Sequence, residues 1–525
     1  MAPSPFRSRY LDHGQITDVL RGWAREHPSL VRVTSIGTSP EGRDLLVATI
    51  GPSPDRVRPA AWVDGNMHAV ELCGSSVALA IAEDVLALHL GEELPAEHPA
   101  STLPPHVRAT LRETLLHVMP RICPDGAEAV LRDGRYVRSN PRDARLHAPT
   151  PRWERADVDG DGRVLTMRRR DPTGEYVAHP TVPGLMRPRS VDDAGPFYKV
   201  WPEGTIANFD GASVPDPYYL SDNDVDLNRN FPFDWRPEHD QAGAGAYPAS
   251  EPEARAVVDF HTRHPNVFYW LNLHTYGGVY IRPLGDAPDK KMDPSDLALF
   301  RHVETVCEAY GGYPMVSGFE EFLYEPDKPL RGDLTEFAFQ QRGCLAYVCE
   351  LWDVFHRLGI PRKKPFTDHY DQLEEEHLVA LHELDVKLNA GRMFQPWRPF
   401  RHPQLGDVEV GGVAPVVGLN NPPYELLDEI CRRQSAHFLR VMALAPRLAL
   451  DVPELERDGG DTTRITVRAD NLGYLPTYVL SSARRLSLDA RIFLEARALD
   501  ATLSVAPADA RLEIGHLEGW GRGRH

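Results

Sequence analysis

No stretch of this sequence is apolar for long enough to cross a bilayer. The longest candidate, Leu72 to Ala82, falls far below the roughly 20 residues a membrane helix needs. The opening segment, MAPSPFRSRYLDHGQ, has none of the apolar core of about 7–15 residues that a signal peptide requires. A cytoplasmic protein without membrane attachment is the resulting expectation. The chain runs almost at once into its first helix, so no inhibitory pro-segment is expected. Cysteine is scarce: Cys73, Cys123, Cys307, Cys344, Cys349 and Cys431 are scattered, with no C-x-x-C pair. Reduced, mostly buried thiols are the simplest reading. Excess positive charge is missing as well, and the formal charge of -18 argues against an electrostatic grip on nucleic acid or on anionic membrane. There is no G-x-S-x-G elbow for a serine hydrolase, no H-E-x-x-H or P-loop string, and no internal repeat.

What is present is the composition of a folded globular protein, 42% hydrophobic and 26% charged, with Pro and Gly enough for many loops. At 525 residues the chain exceeds one ordinary core, so a large domain and a smaller one are expected. An amphipathic helix within 15–35 leads into VRVTSIG. LLVATIG, AAWVDGN, a long helical stretch from Glu71 to Leu90, LLHVMPRICPDG, VFYWLNLHTY and LAYVCELWD follow. Short, nearly all-apolar strands alternating with helices predict an α/β fold with a sheet covered on both faces. Sites in such sheets sit where strands end at their carboxyl edge. His68, His274 and Glu350 each fall at or just past such an end. A Pro/Gly-rich insertion, about 140–225 between Arg138 and Asp226, reads as loops over the site mouth. A helix at Asp368–Asn389 closes a domain of residues 1–400. Residues 401–525 read as an accessory module, a helix near Pro423–Leu448 followed by short strands.

His68-Ala-Val-Glu71 follows the third strand candidate, and the i, i+3 spacing would place both side chains on one helical face. A third ligand must come from afar, and His274 at a strand end is the candidate. Two His and one Glu, with a fourth position left open, is the composition of a catalytic zinc site. A lone H-x-x-E pair would be weak evidence in a chain with 22 His.

The strings WVDGNMHAVELCG, PRICPDGAEAVLRDGRYVR, DVDLNRNFP, SEPEARAVVDF, LNLHTYGG and LAYVCEL occur in this order. Together they resemble the carboxypeptidase A-like metallocarboxypeptidase family over roughly residues 10–390. The resemblance implies a mixed sheet of about eight strands between helices. It implies one zinc per chain on His68, Glu71 and His274, with Asp226 fixing the ring of His68. Asn228 and Arg229 would hold a substrate's C-terminal carboxylate. Arg138, with Arg135 as the neighbouring alternative, would stabilise the oxyanion. Glu350 would be the general base, taking a proton from the attacking water and returning it to the leaving amine. Tyr324 is the counterpart of a mobile tyrosine, and Thr335 stands at the side-chain specificity position, close to Asp333 and Arg331.

The plainer readings are a strand-end carboxylate for Glu350, a solvated turn for Asn228-Arg229 and a surface charge for Arg138. His261 and His264 read as surface residues. Asp157-Val-Asp159-Gly-Asp161-Gly has the acidic spacing of half a calcium loop, but Arg168 takes the place of its closing Glu, so Ca2+ competes here with a polar turn. The expected activity is hydrolysis of a peptide bond next to a free C-terminal carboxylate. The rivals are a zinc deacylase acting on N-acyl amino acids or other amino-acid conjugates, and a non-catalytic peptide-binding protein on the same fold.

Overall fold

The computed structural model describes residues 4–141, 151–216, 225–325, 328–371, 374–457, 461–486 and 491–521. The helix His13–Glu26 starts on a reciprocal cap, in which Asp12 Oδ1 accepts from Gln15 N and Gln15 Oε1 accepts from Asp12 N. The chain then lays down an eight-stranded mixed sheet. Its strands are β1 Val31–Thr38, β2 Asp44–Ile50, β3 Ala60–Gly65, β4 Leu115–Met119, β5 Val267–Thr275, β6 Val279–Arg282, β7 Met315–Ser317 and β8 Leu345–Leu351, in the spatial order β1-β2-β4-β3-β5-β8-β6-β7. The four inner strands β4, β3, β5 and β8 run parallel. β3 and β5 are buried along their whole length, as strands covered on both faces must be. The α/β architecture with a mixed sheet agrees with the sequence expectation.

Helix α1 (Cys73–Leu90) packs against β3 and β4. Among the described residues it is the one helix long and apolar enough to cross a membrane, and 78% of it is buried inside the fold. Its apolar length is therefore explained by its place in the core. Helix α2 (Tyr424–Met442) packs on α1, and Leu427, Ile430, Phe438 and Leu439 belong to the same core cluster as the sheet. All six cysteines are buried and unpaired.

The expected division at residue 400 does not match the structure. Strands Phe394–His402 and Gly406–Val413 form a hairpin, and the second pairs with Thr166–Arg170 of the insertion, giving a separate six-stranded sheet. That sheet has its own small core of Trp153, Met167, Trp201, Val408 and Val410. The insertion is therefore a folded lobe completed by residues just past the large domain, where loops were expected. The strands from Leu448 onward form two antiparallel pairs outside both sheets, and Arg152–Arg155 with Gly204–Ala207 form another within the insertion. Arg168, flanked by Tyr198 and Trp397 at 4.4 Å each and bonded to Glu409 at 2.8 Å, fastens the lobe to the hairpin. Arg168→Ala is expected to lower stability in urea unfolding by about 1–2 kcal/mol while leaving metal content unchanged.

Candidate metal centre

After β3 the chain turns at Asn66, whose backbone is left-handed (φ 56). The Asn66 side-chain amide donates to the carbonyls of His68 (2.8 Å) and Ala69 (3.0 Å), and Glu71 N donates to the His68 carbonyl (3.0 Å). Cys73 N, which would close the first helical turn onto Ala69, donates instead to Asn421 Oδ1 at 2.8 Å. His68 and Glu71 therefore meet across a turn ahead of α1, and the helical face expected for them does not form. The turn sits close under the sheet: a Cβ on Gly65 would lie 2.5 Å from the carbonyl carbon of Gly74. Its other edge is tied to the next segment, with Ala69 N donating to Arg138 O at 2.7 Å and Val70 N to Val137 O at 3.2 Å. His274 comes from the end of β5, and the parallel register sets it directly opposite Glu350 on β8.

The three expected ligands converge. His68 Nδ1 lies 2.8 Å from Glu71 Oε1, His274 Nδ1 lies 3.0 Å from Glu71 Oε2, and the two Nδ1 atoms are 3.0 Å apart. All three residues are buried. The far ring nitrogens are also engaged, His68 Nε2 with Asp226 Oδ1 at 3.1 Å and His274 Nε2 with Asn272 Oδ1 at 2.6 Å. Carboxylate and amide oxygens accept hydrogen bonds, so both Nε2 atoms carry the proton, and in neutral rings both Nδ1 atoms present lone pairs. Two lone pairs and a carboxylate facing one another at about 3 Å could hold a metal ion between them, and two imidazoles with one carboxylate suit zinc. Burial pushes Glu71 up, but the facing His68 and His274 rings outweigh it and hold Glu71 well below the usual carboxylate range.

Around this cluster opens a cavity of about 620 Å³, lined by His68, Glu71, His274, Glu350, Arg138, Asn228, Arg229 and Tyr324 among others. Asp226 stands behind His68, and Arg135 is not in the lining. The Arg138 side chain donates to Asp226 Oδ2 (3.2 Å) and Glu71 Oε1 (3.4 Å). Asp226 also caps the one-turn helix Leu227–Arg229 by accepting from Asn228 N. Burial favours a neutral Asp226, yet Arg138, His68 and Arg229 hold it well below its ordinary value. Asn228 Oδ1 accepts from Leu334 N at 2.9 Å, and Arg229 Nη1 donates to the Asn228 carbonyl at 2.6 Å. Among the described residues no carboxylate forms an ion pair with Arg229. Glu350 makes no side-chain hydrogen bond to a described residue. Burial pushes it up to about 8; His274 opposes that rise, Glu71 adds to it and Arg138 opposes it. Tyr324, 52% exposed, stands edge-on to Phe322 at the cavity wall.

The wall carrying Thr335 also carries Asp333 and Glu336, while Arg331 is held by Asp234. Glu336 is pushed up to about 8 by its burial and by the charge of Asp333. Sequence reasoning missed Glu336, Tyr136, Arg282, Asn420 and Arg155 as lining residues. Arg155 reaches in from the insertion, its guanidinium 5.6 Å over the Tyr136 ring. His261, read as a surface residue, is buried and stacked on Trp270 at 3.7 Å.

The acidic loop does not bring its three aspartates together. Asp157 and Asp159 gather with Glu203, while Asp161 turns toward Arg398. Asp157 accepts from Gly160 N and Gly162 N, Asp159 from Asp161 N, and Glu203 from Val158 N and Leu165 N. The turn's own amides take up the acidic spacing, as a polar turn does.

A family model described as zinc carboxypeptidase matches residues 16–364, and one described as a domain of unknown function matches residues 447–525. Carboxypeptidase D of Anas platyrhynchos is 32% identical over 129 residues, which are 24% of this chain and 8% of that protein. Carboxypeptidase Z of Homo sapiens is 27% identical over 137 residues, 26% of this chain and 19% of that protein. The match thus spans less than a fifth of the length of either relative. The crystal structure of the carboxypeptidase A from Helicoverpa armigera aligns with a TM-score of 0.43 at 16% identity, covering 66% of this chain and 65% of that one.

Proposed function

The chain belongs to the zinc carboxypeptidase family, and from that premise we propose that it is an active metallocarboxypeptidase, removing the last residue of a peptide that ends in a free carboxylate. The observation that carries this reading is the convergence of two imidazole lone pairs and Glu71 in one cavity with Arg229, a guanidinium without an ion pair among the described residues.

His68, Glu71 and His274 would hold the zinc. When bound, zinc supplies Lewis acidity that polarises the scissile carbonyl and acidifies water. The protein's own groups do the rest. Asn228 and Arg229 receive the terminal carboxylate through a charge-assisted pair, which sets the scissile bond one residue away from the clamp. Glu350, next to His274 on the neighbouring strand, takes the proton of the attacking water and delivers it to the leaving amine. Arg138 turns an N–H toward the oxyanion as charge develops there. Asp226 keeps the proton of His68 on Nε2. Tyr324 brings a hydroxyl to the mouth of the cavity.

The test is a pair of peptides differing only in a free or amidated C-terminus. A charge-assisted pair contributes about 1.5–3 kcal/mol, so amidation is expected to lower kcat/KM about ten- to a hundredfold. Arg229→Ala should slow the free peptide to the rate of the amidated one and leave zinc in place. Equal rates on both forms in the wild type would remove the terminal clamp, and release of an acid from N-acyl amino acids with no peptide cleavage would make the protein a deacylase.

A further inference from the structure

Asp64, on β3, is wholly buried four residues before His68 and has no part in the mechanism above. Its Oδ2 accepts the indole N–H of Trp62 at 2.6 Å and of Trp270 at 2.7 Å, and its Oδ1 accepts the side-chain amide of Asn272. Parallel pairing of β3 with β5 sets Asp64 directly opposite Asn272. Asn272 and His274, two apart on β5, share one face of the sheet. The other end of the Asn272 amide, Oδ1, lies 2.6 Å from His274 Nε2.

The order of constraint runs one way. Indole nitrogens only donate, so the Asp64 carboxylate acts as an acceptor and is matched by three N–H groups, as a buried charge must be. The amide of Asn272 must then turn its NH2 toward Asp64, because the reverse orientation would set two acceptor oxygens face to face. Its oxygen is left facing His274, which must carry its proton on Nε2. In the neutral ring Nδ1 is thereby left as a lone pair aimed at His68 and Glu71.

We propose that Asp64 is a positioning residue for the metal centre, acting through Asn272 to fix the tautomer of His274 and to strengthen it as a ligand. His68 has its carboxylate in direct contact, in Asp226. The carboxylate serving His274 is one amide further away, so polarisation is handed on without a second full charge beside the ligands. This inference rests on the zinc reading of the site.

Zinc affinity is read by chelator competition, together with the visible spectrum of the cobalt-substituted protein. Loss of such an outer partner weakens metal binding about 10- to 100-fold, so Asp64→Asn, of equal size, is expected to do the same and to shift the cobalt bands. Asn272→Leu should behave alike, and adding Asp64→Asn to it should cost little more, because the connection is already cut. Unchanged affinity and spectrum in folded Asp64→Asn, or losses that simply add, would overturn the proposal. If the variants do not fold, imidazole nitrogen NMR of the metal-free wild type in mildly alkaline solution decides. A proton of His274 on Nε2 supports the proposal, and one on Nδ1 overturns it. A wild type that binds no zinc would instead remove the metal reading itself, so the two failures are distinct.

Discussion

Glu350→Gln is expected to keep zinc and the fold while losing about 100- to 10,000-fold in kcat, the usual contribution of a positioned general base. The amide has the same shape but no basic oxygen, so it can sit beside the metal without moving a proton. Nothing around Glu350 should object to the change, since the carboxylate makes no hydrogen bond to a described residue. Burial already favours its neutral form, and the nearby Glu71 charge works in the same direction, outweighing His274 and Arg138. The sign for stability follows. In the metal-free protein the folded value, about 8, lies above the ordinary carboxylate value, so ionising Glu350 costs stability as pH rises from the carboxylate range to about 8. Glu350→Gln is free of that loss, so the metal-free variant should gain on the metal-free wild type in thermal unfolding across this window. Zinc content by plasma emission and turnover on one peptide complete the comparison. If more than about a tenth of the turnover survived, less than one power of ten of the 100- to 10,000-fold expected of a base would be lost, and Glu350 would not be that base.

His274→Ala is expected to lose both zinc and turnover. A catalytic zinc site takes three protein ligands, and two with water hold the ion poorly. His274 is buried, its Nδ1 faces Glu71 and His68, and no other described His, Cys, Asp or Glu completes that group. No neighbour is therefore in place to substitute. His68→Ala should behave the same way. The two kinds of variant separate the roles, for Glu350→Gln loses turnover with zinc retained and the histidine variants lose both. Full zinc content in a folded histidine variant would take that residue out of the site.

Features of the site that depend on local sequence were legible. His68, His274 and Glu350 were readable because each stands at or just past the end of an apolar strand, parallel strands of one sheet bring their carboxyl ends to one edge, and Glu71 followed from its spacing to His68. The form of the His68–Glu71 turn was not, since i, i+3 spacing fits a helix and a turn equally. The choice is made by Asn66 taking the carbonyls and by Asn421, almost 350 residues on, taking the Cys73 amide. The insertion was hidden for a similar reason. Its strands are of three to five residues, TMRRR has no alternation, and its partner strand Gly406–Val413 lies far along the chain. Arg155 enters the cavity only because that lobe forms. Asp64 stood in plain view in WVDGNMH, but its link to His274 depends on the register between β3 and β5, which no single segment encodes.

The central claim is most directly tested by digesting a mixed peptide library with zinc-loaded protein and reading the products by mass. Products shortened one residue at a time from the C-terminal end, and abolished when a chelator strips the metal, are the predicted result. Internal cuts, or intact peptides beside active zinc-loaded protein that hydrolyses only N-acyl amino acids, would contradict it.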